Sequence, residues 1–80
     1  MKIAAVDWAR LESAAREAIR NSYSPYSGFA VGAAVLTTSG EVYSGCNIEN
    51  VHSSLTLCAE RTAIFLAAAQ GHRHIRAVVI

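Results

Sequence analysis

Residues 29–37, Phe29-Ala30-Val31-Gly32-Ala33-Ala34-Val35-Leu36-Thr37, are apolar on both alternating faces. Successive side chains of a strand point to opposite faces, so a strand without a polar face must be covered on both sides. That requirement selects a sheet sandwiched between helices. The chain supplies the helices. Over 7–21, Trp8, Leu11, Ala15, Ala18 and Ile19 recur at helical spacing, and Arg10, Glu12, Arg16, Glu17 and Arg20 take the remaining face. Asp7 is a natural N-cap and Asn21-Ser22 a stop. Over 55–70 the pattern is again helical but apolar nearly all round, with Leu55, Leu57, Ala59, Ala63, Ile64, Phe65, Leu66 and three alanines. Such a helix is expected to be buried on every side, with Gly71 as its C-cap. Trp8 reads as core or half-buried packing, as does Tyr43.

The rest of the chain links these pieces. Residues 22–28 form a loop by their Pro, Gly and Ser content. Thr38-Ser39-Gly40 makes a short turn into a second, antiparallel strand over 41–48, closing a hairpin over 29–48. Residues 49–54 are polar loop, and His72-Arg73-His74 leads to a third strand over 75–80. A strand that follows a helix suggests a parallel crossover. The expectation is a single α/β domain over 1–80, three-layered, in the order helix, β-hairpin, helix, strand, around a mixed sheet. Ending in or just after a strand leaves the second helix with an uncovered face, so the domain reads as incomplete.

Composition points the same way. A chain of 80 residues buries only about 60–65% of its unfolded surface. Hydrophobic residues make up 52% and charged ones 16%, against roughly 25% charged in ordinary domains. An exposed apolar patch follows, and with it self-association, a partner subunit or a further piece of the domain. The net charge of +1, without a basic stripe, excludes a nucleic-acid polymer as partner. The apolar runs are too short to span a bilayer, and Asp7 and Arg10 interrupt any signal-peptide core. Cys46 and Cys58 read as thiols of a cytoplasmic protein.

Cys58-Ala59-Glu60 falls in the opening turns of the second helix. A helix N-terminus offers unpaired N–H groups and partial positive charge, which favour a thiolate, the form that binds metal. A carboxylate two residues on, in an otherwise apolar helix, needs a partner, and a metal-bound water would supply one. The bland alternative is a small buried cysteine beside a solvated glutamate.

Three blocks weigh against the bland reading: Gly28-Phe29-Ala30-Val31-Gly32-Ala33-Ala34, Gly45-Cys46-Asn47-Ile48-Glu49-Asn50, and Cys58-Ala59-Glu60-Arg61-Thr62-Ala63-Ile64. In order and interval, together with the Tyr23-Ser24-Pro25-Tyr26-Ser27 loop, they resemble the N-terminal portion of the homotetrameric cytidine deaminase family, from Tyr23 to Ile80. The resemblance implies a cytidine-deaminase-like three-layer fold and a zinc-dependent site. In it Cys58 is one of three thiolate ligands, and Glu60 carries protons between water, N3 of the pyrimidine and the departing ammonia. The backbone N–H of Ala59 binds the pyrimidine carbonyl. Asn47 and Glu49 hydrogen-bond the ribose hydroxyls, Phe29 packs on the base, and Arg61 offsets the charge of the thiolates. Asn47 and Glu49 also lie at a strand end, where open sheets place ligands.

Two departures qualify the resemblance. The family draws its other two zinc ligands from a Pro-Cys-x-x-Cys segment that this sequence lacks, and one thiolate does not make a catalytic zinc site. Where many members read Glu-Asn-Ala-Ser-Tyr-Gly, this sequence has Glu49-Asn50-Val51-His52-Ser53-Ser54, so Ser53 replaces an aromatic residue that reaches a neighbouring subunit. Cys46 in its strand and His52 in its loop are poor substitutes as ligands. His72 and His74 lie about 20 Å along the helix from Cys58 and read as surface. The implied activity is hydrolytic deamination of cytidine or deoxycytidine in pyrimidine salvage, by a homo-oligomer acting on a small nucleoside. The 80-residue chain alone is expected neither to bind zinc tightly nor to turn over. The competing readings are a non-catalytic oligomerisation module and a deaminase of another aminated nucleoside, such as a nucleoside antibiotic.

Overall fold

The computed structural model describes residues 6–50 and 57–80. Its centre is β1, Gly32–Thr37, shorter than the strand expected over 29–37 because Phe29 and Ala30 are exposed; every residue of β1 is buried, Thr37 being its polar one. It pairs antiparallel with β2, Val42–Cys46, in a register that sets Gly32 opposite Cys46 and Leu36 opposite Val42. On its other edge it pairs antiparallel with β3, Ile75–Val79, with an irregularity between Leu36 and Thr37. The sheet order is β2-β1-β3. The expected crossover is present, because β2 and β3 run parallel with a helix between them in sequence. Since β1 separates them, both hydrogen-bonded pairs are antiparallel, and the parallel pairing of a mixed sheet does not occur among the described strands.

The pleat distributes the core to two sides, as the sequence of β1 demands. Ala34 and Leu36, with Ala77 of β3, pack against Leu11 and Ala15 of α1, Trp8–Ala18. Val35 points the other way and packs against Ala63 and Ala67 of α2, Ala59–Ala69. The result is three layers, helix on sheet on helix. α1 begins where expected: the Asp7 carboxylate accepts from the Arg10 amide at 3.0 Å, and Ile19–Asn21 adds a 3-10 turn. α2 ends in a Schellman arrangement, with the His72 amide donating to Ala67 at 2.9 Å and Gly71 to Ala68 at 3.0 Å.

Several expectations need correcting. Trp8 is 55% exposed, because the helix stripe that meets the sheet runs through Leu11, Ala15 and Ala18 instead. α2 is not buried all round. Only Ala59, Ala63 and Ala67 are, while Phe65 and Leu66 are 56% and 43% exposed, because the sheet covers only one stripe. α2 also starts later than position 55: Cys58 is its N-cap, and Leu55 lies outside the described residues. His72 is more than surface. It is half-buried, its Nδ1 lies 3.1 Å from Ser39 Oγ, and its ring sits 5.5 Å from that of the half-buried Tyr43. His74 is exposed as expected.

Candidate functional site

The candidate residues meet at Ile48, two positions beyond the end of β2. On one side the segment bridges to Tyr23: the Tyr23 amide donates to the Asn47 carbonyl at 3.1 Å, and the Glu49 amide donates to the Tyr23 carbonyl at 2.8 Å. On the other side Ile48 and Leu57 exchange a pair of backbone bonds, at 3.0 and 2.8 Å. Ile48 thus stands between the loop that precedes β1 and the approach to α2. Among the described residues neither bridge extends into a strand, each being a single pairing.

Asn47 and Glu49 flank that junction and hold the loop with their side chains. Asn47 Oδ1 accepts from the Val31 amide at 3.0 Å and from the Ser22 hydroxyl, and its Nδ2 donates to the Phe29 carbonyl at 2.8 Å. Glu49 Oε1 accepts from the amides of Tyr26 and Ser27, each at 3.0 Å, while Oε2 accepts from the Ser27 hydroxyl. Three donors stabilise the ionised form, so the Glu49 carboxyl is held below its ordinary value. The Ser27 hydroxyl contributes most and the Ser27 amide next, against an opposing desolvation, and the Tyr26 amide adds the least. Phe29, between the two clamps, is 72% exposed. It is anchored by its backbone and leaves the ring available to a ligand.

The N-terminus of α2 comes next to this cluster through the Leu57–Ile48 bridge. Cys58 is extended, with φ −73° and ψ 153°, and its side chain makes no capping bond. Its carbonyl accepts from Thr62 instead, from the amide at 3.0 Å and the hydroxyl at 3.1 Å. The thiol is therefore exposed and uncommitted to the cap. Ala59 is buried at 1% exposure, and the half-buried Glu60 is the acidic residue of the first turn, where the helix dipole favours it. Gly45 makes this placement possible. A Cβ there would lie 2.5 Å from the Ala63 nitrogen and 2.9 Å from the Ala59 carbonyl oxygen. Only a glycine lets α2 lie so close to β2.

The structure thus joins Phe29, Asn47 and Glu49 by hydrogen bonds and attaches the segment carrying Cys58, Ala59 and Glu60 between them. Arg61 is exposed on the next position. Cys46 is buried in β2, while His52 and Ser53 lie outside the described residues. Sequence reasoning missed Ser22 and Ser27, which satisfy Asn47 and Glu49, and it missed Gly45. The serine content of the loop was the available signal, but nothing in it indicates which hydroxyl meets which side chain. Among the described residues no group of three His, Cys, Asp or Glu side chains could hold a metal. Cys58 alone does not satisfy the three-ligand requirement of catalytic zinc.

Residues 7–80 match the model of the cytidine and deoxycytidylate deaminase zinc-binding region. The chain belongs to this family. It is 45% identical over 75 residues to the cytidine deaminase of Sporosarcina psychrophila, covering 94% of this chain and 55% of that protein. With a cytidine deaminase of Mycobacterium tuberculosis it shares 56% over 55 residues, 69% of this chain and 41% of the relative. The crystal structure of cytidine deaminase from Mycobacterium tuberculosis superposes with a TM-score of 0.87 at 44% identity, over 92% of this chain and 60% of that one. The Burkholderia pseudomallei cytidine deaminase gives 0.81 at 46%, covering 92% and 59%. The chain therefore spans about half the length of the curated relatives it matches. The helix, antiparallel sheet and second helix are those of cytidine deaminases, and the matching family region is zinc-binding.

Proposed function

We propose that this chain carries the nucleoside-binding and proton-carrying part of a zinc-dependent hydrolytic deaminase acting on cytidine or deoxycytidine. The observation that carries the reading is the junction at Ile48, which ties Asn47 and Glu49 to the N-terminus that bears Cys58, Ala59 and Glu60. Asn47 and Glu49 would hold the ribose hydroxyls: Glu49 keeps a lone pair on Oε2 beyond the one Ser27 uses, and a carboxylate has about four acceptor sites. Phe29 would pack on the base. The Ala59 N–H, one of the unpaired donors of a helix start, would bind the pyrimidine carbonyl.

Glu60 would take a proton from the water that adds to C4, pass it to N3, and carry the second to the exocyclic amine, which leaves as ammonia. Water and cytidine thereby become uridine and ammonia. Cys58 would supply one thiolate to the metal that activates that water, and the remaining ligands must come from outside the described residues. Arg61 would offset thiolate charge. The reading extends to a homo-oligomer in the cytoplasm, consistent with Cys46 and Cys58 both being free thiols.

The test is a zinc titration and an ammonia-release assay on the purified chain, alone and mixed with a polypeptide supplying a Pro-Cys-x-x-Cys segment. Zinc binding and turnover that appear only in the mixture, and vanish with Glu60→Gln, support the reading. Robust turnover by the chain alone refutes the requirement for outside ligands, and no cytidine binding in either sample refutes the nucleoside site. The exposed Phe65 and Leu66 of α2 favour a second reading, a non-catalytic association module. It predicts a stable assembly that contains no zinc and ignores cytidine.

A further inference from the structure

One hydroxyl links the two residues assigned to opposite ends of the nucleoside. Ser27 Oγ donates to Glu49 Oε2 and accepts from the Phe29 amide at 3.1 Å. Ser27 also presents its own amide to Glu49 Oε1 at 3.0 Å, beside that of Tyr26. The Gly28 amide closes the turn onto the Ser24 carbonyl at 2.9 Å. Phe29 has little else to fix it, since the residue is 72% exposed and its carbonyl is held by Asn47 Nδ2. The backbone of Phe29 is thus held from two sides, by Asn47 at its carbonyl and by Ser27 at its amide.

We propose that Ser27 is a positioning residue that fixes Phe29 relative to the carboxylate of Glu49, and so sets the spacing between the base-packing ring and the sugar-binding acid. This rests on the nucleoside reading above for its purpose, although the tether itself does not. A nucleoside needs both ends of that spacing, whereas a free base needs only one. Ser27 therefore discriminates for ligands that carry a sugar. It touches neither the reacting carbon nor the ring nitrogens, and its effect belongs to binding rather than to chemistry.

The tether makes loop order depend on the charge of Glu49, whose partners are two amides and a hydroxyl. The carboxyl is depressed, so its contribution is present above the unfolded-state value and is lost as pH falls through the lower, folded value. Amide exchange and carboxyl titration by NMR on the whole chain read this directly. In the wild type the Tyr26, Ser27 and Phe29 amides should be protected at neutral pH and lose protection as Glu49 protonates. Ser27→Ala should lower Phe29 amide protection about fivefold, the loss of one ordinary hydrogen bond. It should also move the Glu49 midpoint upward, while Leu11 and Val35 in the core stay protected. Ser27→Thr, which keeps the hydroxyl, should restore both. An unchanged Glu49 titration and unchanged Phe29 protection in Ser27→Ala overturns the tether, as does failure of the threonine to rescue. Titrating cytidine and cytosine into the same samples separates the two claims. A wild type that binds neither ligand, alone or mixed with a polypeptide supplying a Pro-Cys-x-x-Cys segment, sinks the functional reading while the exchange data still decide the tether. A Ser27→Ala chain that weakens cytidine and cytosine equally overturns the spacing role.

Discussion

The two helices are each 11 residues long and lie on opposite faces of the same sheet, yet they are built differently. α1 meets the sheet through Leu11, Ala15 and Ala18, and its outer face carries the ion pair Glu12–Arg16 at 2.8 Å and, with the 3-10 turn that follows, Glu17–Arg20 at 3.3 Å. α2 meets the sheet through Ala59, Ala63 and Ala67, one small residue per turn, and turns Phe65 and Leu66 outward. The first is apolar where it meets the sheet and charged over much of its outer face, with Trp8 left exposed at its start. The second gives up side-chain volume for closeness to β2, and its apolar outer face suits a further layer of protein. The cost is in packing; the gain is that the helix start, with Cys58 and Glu60, is brought close to the segment that follows β2. Stability should therefore be concentrated on the α1 side and site geometry on the α2 side.

Leu11→Ala should give the largest effect, a loss of about 3 kcal/mol, because Leu11 is 1% exposed and, among the described residues, its fully buried neighbours are Leu36 and three alanines that cannot fill the space it leaves. Chemical denaturation followed by circular dichroism measures it. A loss under about 1 kcal/mol would mean that the α1 side is not where the chain keeps its stability.

Gly45→Ala comes next, at about 2 kcal/mol, since a methyl group there meets the backbone of α2 at 2.5 Å. Gly32→Ala is the matched control on the other face, where a Cβ would lie 2.0 Å from the Ala15 carbonyl oxygen. Both substitutions should destabilise, but Gly45→Ala should shift the amide resonances of Ile48 and Leu57 more, because Leu57 leads straight into α2 whereas Gly32 reaches Ile48 only through Val31 and Asn47. If Gly32→Ala moves those resonances equally, the division of labour between the two faces is wrong.

These two glycines also show how far the sequence could be read. The doubly apolar run at 29–37 requires cover on both sides, and that alone yields three layers; the periodicity of 7–21 places α1, and Asp7 marks its start. The same reasoning overburied α2, because periodicity reports which positions are apolar and not how many neighbours stand around them. Alanines at 59, 63 and 67 look like helix propensity, and their use as a close-approach stripe is visible only beside Gly45. At the site, the strand end carrying Asn47 and Glu49 was legible from residue type and position. The matching hydroxyls were not, because pairing Ser22 with Asn47 and Ser27 with Glu49 depends on a loop conformation that no spacing rule dictates. The tie between Ile48 and Leu57 was hidden for a related reason: a single bridge leaves no alternating pattern.

Asn47→Ala should destabilise by about 1–2 kcal/mol, less than its three side-chain bonds suggest, because the freed groups of Phe29, Val31 and Ser22 can reach water. Its sharper signature is local. Exchange at Val31 should speed up while Leu11 is unaffected, and a uniform rise in exchange across the core would show that the loop clamp and the core are one cooperative unit.

The smallest effect belongs to the outer face of α2. Phe65→Ser with Leu66→Ser removes two exposed apolar side chains, so unfolding free energy at low concentration should change by less than about 0.5 kcal/mol beyond helix propensity. What should change is association. A face with Phe65 at 56% and Leu66 at 43% exposure gains by burial against another surface, at about 25 cal/mol per Å² of apolar area. The double variant should sediment as a monomer at concentrations where the unaltered chain self-associates, whereas Glu17→Ser with Arg20→Ser, an exposed pair away from that patch, should leave sedimentation as it is. Equal association by both variants would place the sticky surface elsewhere, most plainly at the groove lined by Trp8, Ile19, Val79 and Ile80, and would mean that α1's side of the sheet is the unfinished one.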